Sequence, residues 1–149
     1  MDRRIQAAEA MGVAAEHRAL TEKVIGCAYR VYSRMGYGFA ESVYEECLVI
    51  ELRREGLTVE AQKPITVFYE GEIVGEFIAD LFVARSLLIE LKSIRVLAPV
   101  HEIQLVNYLV ATSTAIGLLF NFGESGVEVK RKVRVLRSAS NPVNPVNPV

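Results

Sequence analysis

Cysteine is scarce in this 149-residue chain: Cys27 and Cys47 are the whole supply. Two thiols are too few for a disulfide framework or a cysteine-based zinc site. Both fall in apolar helical patterns, where a buried free thiol is expected. A reducing cytoplasm is the expected compartment. Long apolar runs are also missing, and no stretch reaches the ~18 residues of a membrane span. The N-terminus, MDRRIQAAEAMGVAAEHRAL, lacks the apolar core of a secretory signal. An excess of either charge is absent as well. The net charge of −1 argues against a protein that coats polyanions over its whole surface. Proline is rare outside the last nine residues, where NPV is repeated three times.

What is present suits one globular domain. Apolar residues make up 51% and charged residues 23%, well away from disordered composition. A chain of this length buries roughly 68–70% of its unfolded surface and needs no staple. Charge is unevenly spread. From Gly126 onward stand Lys130, Arg131, Lys132, Arg134 and Arg137 against Glu128 alone, so the remainder carries −5. Nucleic-acid contact would therefore be local.

Periodicity divides the chain. Apolar residues at Leu20, Val24, Cys27, Ala28, Val31 and Met35 predict a helix over 21–35, ended by Gly36 and Gly38. A second helix is expected over 40–55, with Val43, Cys47 and Ile50 facing inward. LTVEAQKPITVFYE reads as extended chain, with Pro64 marking a break or an edge. Two β-rich runs, 76–83 and 87–93, are joined by Ala84-Arg85-Ser86 and predict an antiparallel hairpin. A helix over 100–112, a doubly buried strand over 115–122 and a last strand over 127–136 follow. Residues 1–19 read as a partly helical extension, 20–137 as the domain and 138–149 as a disordered or polyproline-like tail.

Chemistry concentrates in FIADLFVARSLLIELKS. Residues two apart on a strand share a face, so Glu90 and Lys92 point the same way. A hairpin closed around Arg85 sets Asp80 opposite Glu90, with Cβ atoms ~4.5–5.5 Å apart. Two carboxylates so placed among Phe77, Ile78, Leu81, Phe82, Ile89 and Leu91 repel each other. A shared proton, an intervening lysine or a divalent cation relieves them. Hard oxygen ligands suit Mg²⁺ or Mn²⁺, and Lys92 is placed to orient water or offset developing charge. The same spacing also fits the wet face of a half-exposed sheet, with Lys92 an ordinary ion-pair partner.

Two further patterns bear on this choice. Gly38, Glu41 and Tyr44 spell G-x-x-E-x-x-Y. Glu41 would stand in a first helical turn, where the dipole suits an acid, with Tyr44 on its face. His101, Gln104 and Tyr108 share one helix face opposite Ile103, Val106 and Val110. A polar face of His, Gln and Tyr suggests ligand contact more than solubility. His101 reads either as a phosphate or water contact or as a solvated helix residue. Lys130, Lys132 and Arg134 line one face of the last strand and read as a phosphate track or as a plain solvated face.

These motifs, with A-D-L at 79–81, E-L-K at 90–92, P-V-H-E-x-Q-L at 99–105 and L-L-F-N-F-G at 118–123, together resemble the GxxExxY protein family of the PD-(D/E)XK nuclease superfamily. The resemblance spans about 20–135. It implies a mixed α/β fold: a restriction-endonuclease-like core with a mainly four-stranded mixed sheet flanked by helices. It implies a metal-dependent nuclease acting on nucleic acid, DNA foremost, with Mg²⁺ or Mn²⁺ held by Asp80, Glu90 and Glu41. Lys92 and Gln104 complete the catalytic set. Tyr108, His101, Tyr44, Lys130, Lys132 and Arg134 are the expected substrate contacts. A homodimer is an expected assembly. Ile78 stands where family members often carry arginine, which weakens substrate binding if that arginine touches phosphate. The alternative reading is a non-catalytic module that binds nucleic acid or protein on the same fold.

Overall fold

The computed structural model describes residues 2–134. The expected tail, with Val135, Leu136 and Arg137, lies outside the described residues. The elements are α1 (Arg3–Met35), α2 (Glu41–Arg54), β1 (Val59–Tyr69), β2 (Glu72–Val83), β3 (Leu87–Lys92), α3 (Pro99–Thr112), β4 (Ile116–Phe122) and β5 (Val127–Val133). The strands form one mixed sheet in the order β1-β2-β3-β4-β5. Only β3 and β4 run parallel, joined by the α3 crossover. The sheet therefore has five strands, one more than the expected main four, because β1 adds an edge. Pro64 sits on that edge opposite Ile78, the kind of strand in which proline is tolerated.

α1 begins far earlier than the expected residue 21. Asp2 caps it by accepting the Arg4 N–H at 3.0 Å, and the alanine-rich run that follows favours helix at every step. None of the described residues forms a helix long and apolar enough to cross a membrane.

Two apolar layers sandwich the sheet. On one side Val24, Cys27 and Val31 of α1 and Tyr44, Leu48 and Leu52 of α2 pack on Leu81, Ile89, Leu118 and Phe120. On the other, Leu105, Tyr108 and Leu109 of α3 cover Ile65, Ala79, Leu88 and Leu119. Every residue of β4 is buried, as its unbroken apolar run predicts. Gly117 lies so close to α3 that a Cβ there would come 2.9 Å from Leu105 Cδ1. Gly117→Ala is expected to cost ~1–3 kcal/mol by overpacking, read as a lower urea midpoint with an unchanged slope.

Both shorter helices turn different faces inward from those the sequence suggested. In α2 the buried stripe is Tyr44, Leu48 and Leu52, and Ile50 is 51% exposed. In α3, Leu105, Tyr108 and Leu109 point inward, while Val100, Ile103 and Val110 stand exposed. Each helix has apolar residues on more than one face. The side that buries the larger side chains against the sheet prevails. Cys27 is buried and Cys47 half-buried, both as free thiols.

Candidate metal centre on the central hairpin

β2 and β3 pair over only three positions, Leu81↔Ile89, Phe82↔Leu88 and Val83↔Leu87. This is the register expected from a hairpin closed around Arg85. Beyond it the strands part, while β3 continues beside β4 to Lys92↔Asn121. Parting strands leave backbone N–H groups that need acceptors. Two side chains in the wedge supply them. Leu91 N–H donates to Asp80 Oδ2 at 2.7 Å, and Asp80 N–H donates to Glu90 Oε1 at 3.1 Å. The two carboxyl groups are thereby clamped together inside the sheet.

Burial governs their charge. Glu90 is 7% exposed. Loss of water first, and the Asp80 charge second, push its carboxyl up to about 8. Asp80 is also raised, by burial and then by the Glu41 charge, against the Leu91 N–H and Lys92, which favour ionisation. The pair therefore retains a proton near neutrality. Lys92 is half-buried at the end of β3, and its charge acts on both acids.

The two flanking helices bring the rest of the set. Glu41 opens α2 in an exposed first turn. Gln104 Nε2 donates to Tyr108 Oη at 2.9 Å. Burial first, and then the charges of Glu90 and Asp80, push the Tyr108 hydroxyl up. Phe77 of β2 packs against the Tyr108 ring with centroids 5.7 Å apart. The α3 face that the sequence suggested for ligand contact carries this Gln104–Tyr108 pair.

Glu45 escapes a reading by motif. It lies one turn past Glu41, half-buried, and accepts from Gln62 Nε2 at 2.8 Å. Burial raises its carboxyl, the Gln62 bond opposes this, and the charges of Asp80, Glu46 and Glu41 add to the rise. Its i,i+4 spacing from Glu41 was the available signal.

Other expected contacts are engaged elsewhere. Tyr44 is fully buried and stacks on Phe122 at 4.4 Å between centroids. Its hydroxyl donates to the Gly36 carbonyl and accepts the Phe39 N–H at 3.3 Å. A substrate-contact role is therefore corrected to a structural one. Gly38, at φ 111°, supplies the turn that Tyr44 clasps. Ser93 Oγ ties the same loop to the end of β3 by donating to the Phe39 carbonyl at 2.8 Å. Of G-x-x-E-x-x-Y, the glycine and tyrosine shape the loop, and the exposed glutamate stands near enough for its charge to act on Asp80. His101 Nδ1 accepts the Ala98 N–H at 3.1 Å and so caps α3. Lys132 pairs with Glu102 at 2.6 Å and Lys130 with Glu128 at 3.5 Å. Lys130, opposite Leu119, which is opposite Glu90, is two strands away, or roughly 10 Å. Arg134 is half-buried, and its backbone N–H donates to the Ala115 carbonyl at 2.9 Å.

Among the described residues no three His, Cys, Asp or Glu side chains form a ready metal cage. A buried Glu90 and a half-buried Asp80, two hard carboxylates fixed by backbone N–H groups, nevertheless fit Mg²⁺ or Mn²⁺. Such ions are commonly held by one or two carboxylates, with waters and substrate phosphates filling the other positions.

A protein-family model described as PD-(D/E)XK nuclease superfamily matches residues 18–133. The crystal structure of SSO0001 is similar at a TM-score of 0.51, with 20% identity over 66% of this chain and 52% of that one. The chain thus spans about half the length of that protein, and the likeness concerns the fold. The comparison with curated proteins found no match.

Proposed function

Because this chain belongs to the PD-(D/E)XK nuclease superfamily, we propose that it hydrolyses phosphodiester bonds in nucleic acid, DNA foremost, through the acids of its central hairpin. The observation that carries this reading is the pairing of half-buried Asp80 with buried Glu90, clamped across parting strands by Leu91 N–H and Asp80 N–H. The finer assignment to the GxxExxY proteins rests on the motifs at 38–44, 79–81, 90–92 and 99–105.

Asp80 and Glu90 would hold Mg²⁺ or Mn²⁺ in this reading, with Glu41 beside them, and would give up the proton that burial keeps on Glu90. The bound ion supplies a water of lowered pKa and a counter-charge for phosphoryl oxygens. Lys92 orients the attacking water and offsets charge developing on the phosphate. Gln104, bonded to the Tyr108 hydroxyl, fixes the polar face that lies over the acids. No histidine is needed as general base, and His101 is already occupied as a cap.

Mn²⁺ calorimetry on wild type and Asp80→Asn tests the site without a guessed substrate. Saturable binding is expected in wild type and absent in the variant. Affinity is expected to rise with pH up to about 8, because loading displaces a proton that burial holds on Glu90. Lys92→Ala is expected to retain Mn²⁺ binding and to lose ~10²–10³-fold in cleavage rate, the usual cost of removing one electrostatic stabiliser. Failure of folded wild type to bind Mn²⁺, alone or with DNA, would overturn the nuclease reading. The non-catalytic alternative draws on the finding that no three-ligand cage forms among the described residues. It predicts nucleic-acid binding that Asp80→Asn leaves unchanged.

A further inference from the structure

The strands β1 and β2 keep register through Ala61↔Leu81 and Lys63↔Ala79, which sets Gln62 across from Asp80. Their side chains nevertheless change sides at that level. Val59, Leu81 and Val83 pack in the α1–α2 layer, whereas Ile65, Val67 and Ala79 pack in the α3 layer. All six are odd-numbered and would share one side in an unbroken pleat. On β1 the reversal falls at Gln62, which is left-handed, at φ 56°; on β2 it falls at Asp80, where the strand parts from β3. The left-handed conformation is disfavoured for a side chain with an ordinary Cβ. The amide of Gln62 donates to Glu45 Oε1 at 2.8 Å, which ties the turn to α2. At the same level β2 leaves β3, after Leu81↔Ile89.

We propose that Gln62 is a positioning residue for the acid pair. Its left-handed turn swings the outer half of the β1–β2 hairpin away from β3 and opens the wedge that Asp80 and Glu90 fill. The bond to Glu45 fixes that turn against the helix that carries Glu41. The structural claim stands without a metal; its consequence for the metal rests on the proposed function. The Leu91 N–H reports the placement directly, because its acceptor is the Asp80 carboxylate.

The test is amide hydrogen exchange by NMR on the metal-free full chain, followed by Mn²⁺ calorimetry. Gln62→Val disfavours the left-handed turn and removes the amide. It is expected to lower protection of the Leu91 amide ~10-fold or more relative to β4 amides, and to weaken Mn²⁺ by ~10–100-fold, as loss of an outer-shell support does. Gln62→Gly keeps the turn and loses only the bond, so Leu91 protection falls by a smaller factor. Glu45→Leu cuts the tie without altering the Gln62 backbone preference and covers the case in which the valine variant does not fold. It too is expected to reduce Leu91 protection, and Glu45→Gln, which keeps an acceptor, restores it. Wild-type protection of Leu91 in folded Gln62→Val or in Glu45→Leu would overturn the proposal. Failure of wild type to bind Mn²⁺ would remove the nuclease reading but leave the exchange result to decide the positioning role.

Discussion

Glu90→Gln is expected to lose nuclease activity by ~10²–10³-fold, and at the same time to make the metal-free protein more stable at neutral pH. The first effect follows from charge. Glutamine keeps the shape and can still accept the Asp80 N–H, but it offers no anion to a cation. Removing roughly 3–4 kcal/mol of stabilisation from the transition state corresponds to that loss of rate. The second effect follows from burial. The Glu90 carboxyl is raised from an ordinary 4.5 to about 8. Below the lower value it is protonated in both folded and unfolded chains and contributes nothing. Between the two values the unfolded chain ionises while the folded chain does not. Unfolding then releases a proton, and stability falls as pH rises. Above about 8 the penalty is complete and constant. The glutamine variant escapes it, a gain on the order of a few kcal/mol at the alkaline end. Urea unfolding in chelator at pH ~4 and ~8 reads this out. The two proteins should agree in acid, and the variant should be more stable in base. Equal midpoints at the higher pH would mean that Glu90 is not held in a desolvated wedge.

Tyr44→Ala is expected to destabilise the fold by ~3–5 kcal/mol, the range for removing a buried aromatic ring. Against a total of ~5–15 kcal/mol for a domain, that leaves a substantial unfolded fraction or no folded state. The ring is fully buried and stacked on Phe122, and its hydroxyl joins both ends of the loop between α1 and α2. Tyr44→Phe separates the contributions. The stack survives, but the Phe39 N–H and the Gly36 carbonyl lose their partner, at ~1–3 kcal/mol. Thermal melts of both variants test the structural role. At temperatures where Tyr44→Phe stays folded, its KM for nucleic acid should match wild type. A raised KM with unchanged stability would return Tyr44 to the substrate.

Under the proposed function, the clasp would give the loop a bearing on the chemistry without contact with the reacting groups. Tyr44 holds Phe39, Ser93 holds the same residue from the end of β3, and Glu41 starts α2 two residues later. Slack in this loop would therefore move Glu41 relative to Lys92. Asn121 reinforces the far side by exchanging two bonds with the Ile94 backbone, at 2.9 and 2.8 Å.

Local pattern alone was enough to determine the strand runs around Asp80 and Glu90, the tight turn at Ala84-Arg85-Ser86, the doubly buried β4 and the span of α3. Each depends on neighbours in the chain: alternation, a short turn that permits one register, an unbroken apolar run, a proline at a helix start. The pairing Leu81↔Ile89 follows from that turn, and it delivers the two acids to one place. The phase of each element did not follow. Nothing within 100–112 says whether Gln104 and Tyr108 or Ile103 and Val110 face the sheet, since both sides of α3 carry apolar or amphipathic residues. That choice belongs to Leu88, Leu119 and Ile65, which come from three other strands. The reversal at Gln62 and Asp80 is invisible for the same reason. It satisfies a wedge opened between strands and a glutamate on α2, none of which is local to β1. Periodicity is a property of a segment, but orientation is set by whichever distant surface gains most from being covered.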